Sequence, residues 1–484
     1  MFKKNYFYLV IILIIGFIIR LINVNQSLWL DEAIAVQAVS KYGFWDLIAR
    51  YAPYDFNPPL YYLILHLWLK IFPANEFFIR LPSIIFGLCA IIFTYKISLL
   101  IFKNKKIGIL AAALLATSPL HIYYSQEARM YSLATFLTCG VMYYFIKLIR
   151  SKNSLFIIHY SLFIILMLYS HYLTWLILPV QALSFLMMRG WKHKKLIRNF
   201  LISQSLNLLF IMPWLPTLFK QLSLGDRVAL ANNIWSSLGS FSFKNISLLP
   251  IKFIIGRTTF ENKNFYYLLS FLLVLFFGYL LYLASKALFF PDRNLSPVPG
   301  TERTVVWLWL FMPIFLGVMI SLKIPIFSYF RFLFCLPAFY LLIAKGIYSL
   351  KKSTWFIIIV LIINLFFSLQ YLLNTNFHRE NWKEAVKVLH KENVSKAPVL
   401  ILENVTAPFD YYDKQESKLV FFEQKELVVN ENTIWLIPYA QPIFDPEDSV
   451  RQYLNSKGFN RTYEQHFRGV TLEKWQKLVA SGYN

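Results

Sequence analysis

Two adjacent carboxylates, Asp31 and Glu32, follow directly on the first apolar run of the chain, in the stretch Ser27-Leu28-Trp29-Leu30-Asp31-Glu32. An acid pair kept at a membrane surface has the chemistry of a general base for an acceptor hydroxyl. The same residues also suit the first turn of a helix, where Ser27 or Asp31 would cap and acids complement the dipole. Both readings are open on these residues alone. Further on, Ser125-Gln126-Glu127-Ala128-Arg129-Met130-Tyr131 sets a carboxylate and a guanidinium between two apolar runs. Arginine matches a phosphate through paired N–H groups. An ion pair between Glu127 and Arg129, or snorkelling of Arg129 to lipid headgroups, accounts for them equally.

Arg331, in Ser328-Tyr329-Phe330-Arg331-Phe332, falls just inside a late apolar run, and Arg80-Leu81-Pro82-Ser83 opens an early one. Ionisable groups at such depth face a cavity or a partner. Arg20 lies near the end of the first run, where snorkelling explains it, and His66 and His171 read as structural. Asn57-Pro58-Pro59-Leu60-Tyr61-Tyr62 reads as a helix start, because proline is harmless in a first turn.

The elements that must position these groups are membrane helices. The 484 residues are 57% hydrophobic, 18% aromatic and only 15% charged, with a mean hydropathy of +0.51. A soluble domain of this size needs more charge to cover its surface. Apolar runs long enough to span recur at 6–24, 79–102, 107–122, 131–149, 155–170, 172–188, 200–217, 264–285, 305–322, 329–348 and 354–373. The first follows Lys3 and Lys4 but is longer than a signal-peptide core and has no small-residue cleavage site after it, so it is read as a retained span.

The net charge of +23 would suggest nucleic acid in a soluble chain. Here the basic residues cluster between apolar runs, which topology and anionic headgroups explain. If the apolar segment 58–72 lies in the interface, every basic cluster falls on one side: Lys103–Lys106, Arg150 with Lys152, Arg189–Arg198, Lys286 with Arg293 and Arg303, and Lys345–Lys352. Eleven spans follow, with the N-terminus cytoplasmic and three outer segments, 25–78, 218–263 (with Trp235) and 374–484. The last is richer in charge. It reads as a small α/β domain with an amphipathic helix at 381–391, buried strands at 398–402 and 433–437, and a helix at 449–457. The expected fold is therefore an α-helical polytopic membrane domain, 1–373, with a small extracytoplasmic α/β domain, 374–484. Cys89, Cys139 and Cys335 sit in apolar runs and read as small core residues, with no metal spacing and no disulfide framework. The sequon Asn404-Val405-Thr406 is too common a pattern to carry weight.

The motifs around Asp31, Asn57, Arg80 and Arg129 occur in an order that resembles the protein O-mannosyltransferase-like family of membrane glycosyltransferases, which share the GT-C fold. Tyr329-Phe330-Arg331-Phe332 followed by Leu336-Pro337-Ala338-Phe339, and the tail opening Asn381-Trp382-Lys383, are similar to later family stretches. The resemblance covers most of the chain. It implies interfacial helices in the first outer loop, a polyprenyl-phosphate monosaccharide as donor, and Asp31 as the catalytic acid with Glu32 beside it. Relatives that modify lipid A carry a lysine before the proline pair. This chain has Asn57 there, so the donor phosphate would find its cations in Arg129 and Arg331, with Arg80 a further candidate. Asn57, Tyr61, Gln126, Glu127 and Tyr131 would line the substrate cavity.

The implied reaction is one displacement at the anomeric carbon, inverting it. Asp31 takes the acceptor proton and cations stabilise the departing phosphate. The expected partners are the lipid-linked donor, an acceptor lipid, glycan or protein, and membrane lipids, with no nucleic acid, no required cofactor and no metal site. The expected location is the plasma or inner membrane, and the Ile-, Lys- and Asn-rich usage hints at a prokaryote. A multi-span transporter or flippase is the alternative, since many spans and intramembrane arginines suit it too. Against it, the sequence shows no internal repeat and no Gly/Pro-broken helix pair of the kind such folds have. An assembly scaffold would leave the acid pair and the outer arginines without a purpose.

Overall fold

The computed structural model describes residues 2–150, 155–188, 192–231, 240–289, 301–402 and 405–477. Trp235, Lys152, Arg189, Arg293 and Asn404, named above, lie outside the described residues. The chain divides into two compact units. One comprises 1–24, 42–73 and 77–377, and the other 25–41, 74–76 and 378–484.

Among the described residues, seven helices are long and apolar enough to cross a membrane: Glu76–Phe102, Tyr131–Arg150, Lys194–Gly225, Lys263–Phe289, Thr304–Ser321, Tyr329–Ile347 and Ser353–Leu373. The helices Lys105–Ala116 and Pro119–Ser125 together pass the same test but are bent by 59°. Three of four shorter apolar helices, Tyr6–Leu21, Leu155–Leu168 and Tyr172–Met187, occupy the remaining expected spans. The fourth is Leu60–Leu69. At about 1.5 Å per residue it reaches roughly 15 Å, half a bilayer core, which suits an interfacial helix.

The bend has a readable cause. Pro119 offers no N–H, Ser118 turns extended and caps the next helix by accepting from the His121 N–H at 3.4 Å, and the ladder stops. Carbonyls left open inside a membrane must find other donors. Leu114 O accepts from Asn364 Nδ2 at 3.0 Å, Thr117 O from Ser368 Oγ at 2.8 Å, and Ala116 O from Arg20 Nη1 at 3.0 Å. Arg20 Nη2 also meets His121 Nδ1 at 2.7 Å. Arg20 is thus wholly buried and does not snorkel: the freed carbonyls draw it inward.

At Gly346 two helices of the membrane unit approach closely. A Cβ there would lie 2.0 Å from the Leu280 carbonyl oxygen, a backbone atom that cannot swing aside. Gly346→Ala is expected to destabilise this unit by roughly 1–3 kcal/mol through overpacking, read as a lower thermal midpoint of the detergent-purified protein. An unchanged midpoint would mean that the two helices separate freely.

The second unit is built on a five-stranded sheet of order β2-β1-β3-β5-β4, where β1 is Val399–Ile401, β2 Leu419–Phe421, β3 Thr433–Leu436, β4 Phe459–Phe467 and β5 Val470–Lys477. β1 is parallel to both neighbours, while β3–β5 and β4–β5 are antiparallel. β1 is buried at all three positions, as a continuous Val-Leu-Ile run should be. The helices Trp382–Glu392 and Ser449–Ser456 lie close to their expected limits. Trp382, Trp435, Leu436 and Leu472 belong to the core, and Leu30 packs against it. The helix Leu30–Lys41, which carries Asp31 and Glu32, is part of this unit and packs on the helix Ala407–Asp413. Cys139 and Cys335 are buried, Cys89 is partly so, and all three are free thiols.

Candidate active site

In the membrane unit the turn Gln126–Met130 follows the helix Pro119–Ser125 and precedes the helix Tyr131–Arg150. Its polar residues Gln126 and Arg129 do different work. Gln126 donates from Nε2 to Arg20 O at 3.0 Å and Ile22 O at 2.7 Å, and accepts from Tyr371 OH at 2.8 Å. Arg80 donates to Val24 O at 2.5 Å. These carbonyls belong to the end of the first helix, which leaves them without partners of its own. Gln126, expected to line a cavity, and Arg80, expected at the phosphate, both hold this helix end.

Arg129 is aimed differently. Its Nη1 donates to Tyr62 OH at 3.0 Å, and that phenol donates to Asp55 Oδ2 at 2.5 Å. Tyr61, on the same short helix, meets Ser83 Oγ at 2.9 Å, and Ser83 donates to Arg129 O at 3.4 Å. The Tyr61-Tyr62 pair therefore fixes the Arg129 main chain with one ring and its guanidinium with the other. Asn57 is half-buried on the bend before this helix. His171 lies within electrostatic reach of both Arg331 and Arg129, and its ring meets Tyr131 edge-on at 5.9 Å. Tyr131 in turn meets Phe330 at 5.4 Å, the residue over which the Arg331 guanidinium sits at 6.0 Å. Arg331 lies in the short 3-10 turn Tyr329–Cys335 that opens its span.

A third guanidinium joins them. Arg257 donates from Nη1 to Tyr123 OH at 2.5 Å and lies 4.7 Å over the same ring. It is within electrostatic reach of Tyr329, Tyr124 and Glu127. Gly256 places it. Its φ is +63°, and a Cβ there would press on Pro119 at 2.9 Å and on the Leu120 backbone at 3.2 Å. Only glycine both takes that angle readily and lets the corner close on the helix start. Glu127, wholly buried, is a carboxylate of this group. The sequence reading missed Arg257, Tyr62 and Asp55. The Gly-Arg dipeptide in an outer segment is the only signal Arg257 carries, and it is a weak one.

In the second unit the acid pair divides in character. Glu32 is wholly buried and pairs with Arg379 at 3.8 Å, while Asp31 is half-buried. Ser27 Oγ accepts from the Lys383 N–H at 3.1 Å. Glu380 lies within electrostatic reach of both Asp31 and Arg379. Among the described residues no three His, Cys, Asp or Glu side chains gather as a metal would need.

Comparison with known proteins bears on these groups. Residues 57–218 match the family model Dolichyl-phosphate-mannose-protein mannosyltransferase. The resemblance read from the motifs holds. The family is one of glycosyltransferases, the enzyme class expected. The structure is similar to ArnT from Cupriavidus metallidurans bound to undecaprenyl phosphate, with a TM-score of 0.62 at 11% identity over 98% of each chain. It is also similar to the archaeal oligosaccharyltransferase AglB from Archaeoglobus fulgidus, in complex with an inhibitory peptide and a dolichol-phosphate: TM-score 0.57, 12% identity, 98% of this chain and 74% of that one. The arabinofuranosyltransferase AftD from Mycobacteria gives a TM-score of 0.52 at 11% identity, over 98% of this chain and 40% of that one. At these identities the likeness is one of fold, and the fold is GT-C. No curated protein matches the sequence.

Proposed function

We propose that this GT-C protein moves a monosaccharide from a polyprenyl-phosphate carrier to an acceptor hydroxyl on the outer face of the membrane. The observation that carries the reading is the set of guanidiniums Arg129, Arg257 and Arg331, brought by three separate segments among tyrosine rings, with the buried carboxylate of Glu127 and the half-buried one of Asp55. Such a surplus of cation suits the phosphate that departs from the sugar. Phenols and ring faces beside it suit a sugar and the first units of a prenyl chain. Asp31 takes the proton of the acceptor hydroxyl, and Glu32 holds it in place. A single displacement inverts the anomeric centre.

The test is release of polyprenyl phosphate in proteoliposomes supplied with labelled polyprenyl-phosphate hexoses and pentoses and a cell-envelope extract as acceptor. Sugar-dependent release supports the reading. Movement of an intact donor across the bilayer without release would replace it with a flippase.

The one-sided basic loops support a topology in which the N-terminus is cytoplasmic and the tail outside. Single cysteines introduced within 25–56 and within 400–477 are both expected to react with an impermeant maleimide added to intact cells. Labelling of only one region would overturn the span count.

A further inference from the structure

The bonds around the acid pair assign a role to the opening of the tail. We propose that Arg379 and Glu380 are positioning residues for the acid pair, Arg379 by holding Glu32 and both by setting the charge around Asp31. This rests on the reading of Asp31 as the base.

Glu32 is cut off from water, and a buried carboxylate keeps its charge only beside a cation and donors. Arg379, whose side chain is 1% exposed, stands 3.8 Å from it. The backbones of the two segments are laced together as well. Arg379 N–H donates to Gln26 Oε1 at 2.8 Å, Lys383 N–H to Ser27 Oγ at 3.1 Å, and Leu28 N–H to Tyr412 OH at 2.9 Å. On the far side Arg468 clamps the tail, donating from Nε to Arg379 O at 2.5 Å and accepting from Asn381 N–H at 2.8 Å. The first turn of the acid helix therefore cannot shift without the segment 379–383.

Glu380 is fixed with equal care. Tyr439 OH donates to its Oε1 and Trp382 Nε1 to its Oε2, both at 2.9 Å. Gly469, at φ +74°, leaves room for it, since a Cβ there would lie 2.6 Å from Glu380 Cγ. Burial first, and then the nearby Asp31, push the Glu380 carboxyl above its ordinary range, against its Trp382 and Tyr439 hydrogen bonds and the Arg379 charge. Tyr439, raised by burial, Glu380 and Asp31, stays a neutral donor. Further charges of this unit are Asp410, which accepts from Gln37 of the acid helix at 3.4 Å, and Glu76, which pairs with Lys383 at 3.2 Å. They stay unchanged in every variant below.

The signs are opposite for the two residues. Removing the Arg379 cation makes Asp31 hold its proton more tightly, so the acid limb of the kcat–pH profile rises. Removing the Glu380 carboxylate lowers it. Arg379→Met is expected to cut kcat about tenfold and raise the limb by about one pH unit, with the affinity for undecaprenyl phosphate unchanged. Arg379→Lys, which keeps the charge, should restore the limb. Glu380→Gln keeps an acceptor for Tyr439 or Trp382 and should move the limb down, and it decides the matter if Arg379→Met fails to fold. Limbs that stay in place in Arg379→Met and Glu380→Gln, while the wild-type protein turns over, would overturn the proposal alone. Absence of sugar release by the wild-type protein from every donor would overturn the reading of Asp31 as base, and this proposal with it.

Discussion

Asp31→Asn is expected to lower turnover by on the order of a hundredfold or more while the protein stays folded and inserted. The carboxamide has the size of the acid and still suits the first turn of the helix Leu30–Lys41. It cannot accept a proton. If Asp31 only completed a helix start, the change would cost a fraction of a kcal/mol in stability and leave the chemistry alone. The measurement is release of polyprenyl phosphate by purified, reconstituted protein, beside a thermal unfolding curve of the same sample. Near-normal turnover by Asp31→Asn would remove it as base.

Glu32→Gln separates the two acids. Glu32 is buried against Arg379, so its loss leaves a cation without its carboxylate and costs stability, on the order of 3 kcal/mol. Its effect on turnover should be smaller than that of Asp31→Asn. An inactive Glu32→Gln beside an active Asp31→Asn would exchange the two roles and keep the reaction class. If both variants turned over normally, the acid pair would belong to the helix start alone.

The second large effect is expected at the phosphate. Arg129→Gln, Arg257→Gln and Arg331→Gln should each weaken binding of undecaprenyl phosphate roughly 10- to 100-fold, the worth of one charge-assisted hydrogen bond to an anion. The loss in kcat/KM should be at least as large, because charge on the leaving oxygen grows toward the transition state. Arg80→Gln should behave differently. Arg80 donates to the Val24 carbonyl, so its loss should lower stability and leave phosphate affinity near the wild-type value. Equal weakening by Arg80→Gln and Arg257→Gln, or none by any of the first three, would remove these arginines as the phosphate site.

The sequence by itself determined the membrane helices, because a span is a local property: enough consecutive apolar residues to cross the hydrocarbon, punctuated by basic loops. The strands at 399–401 and 433–436 were legible for the same reason, as short apolar runs. β4 was not, since after the buried Phe459 its residues are exposed or half-exposed and show no alternation of apolar positions. The span read as continuous at 107–122 is bent at Ser118-Pro119, and only packing showed that Asn364, Ser368 and Arg20 would take up the freed carbonyls. Asp31, Glu32, Arg129 and Arg331 could be picked out as candidates by type and place. What each one touches was decided by tertiary structure. Gln126 and Arg80 went to a helix end, and Arg257 joined the cations because a glycine corner closes on Pro119. The acid helix found its supports in residues such as Arg379, which meets Gln26 across 353 positions of chain. Burial and pairing depend on which distant segments meet, and no pattern along one stretch of sequence records that meeting.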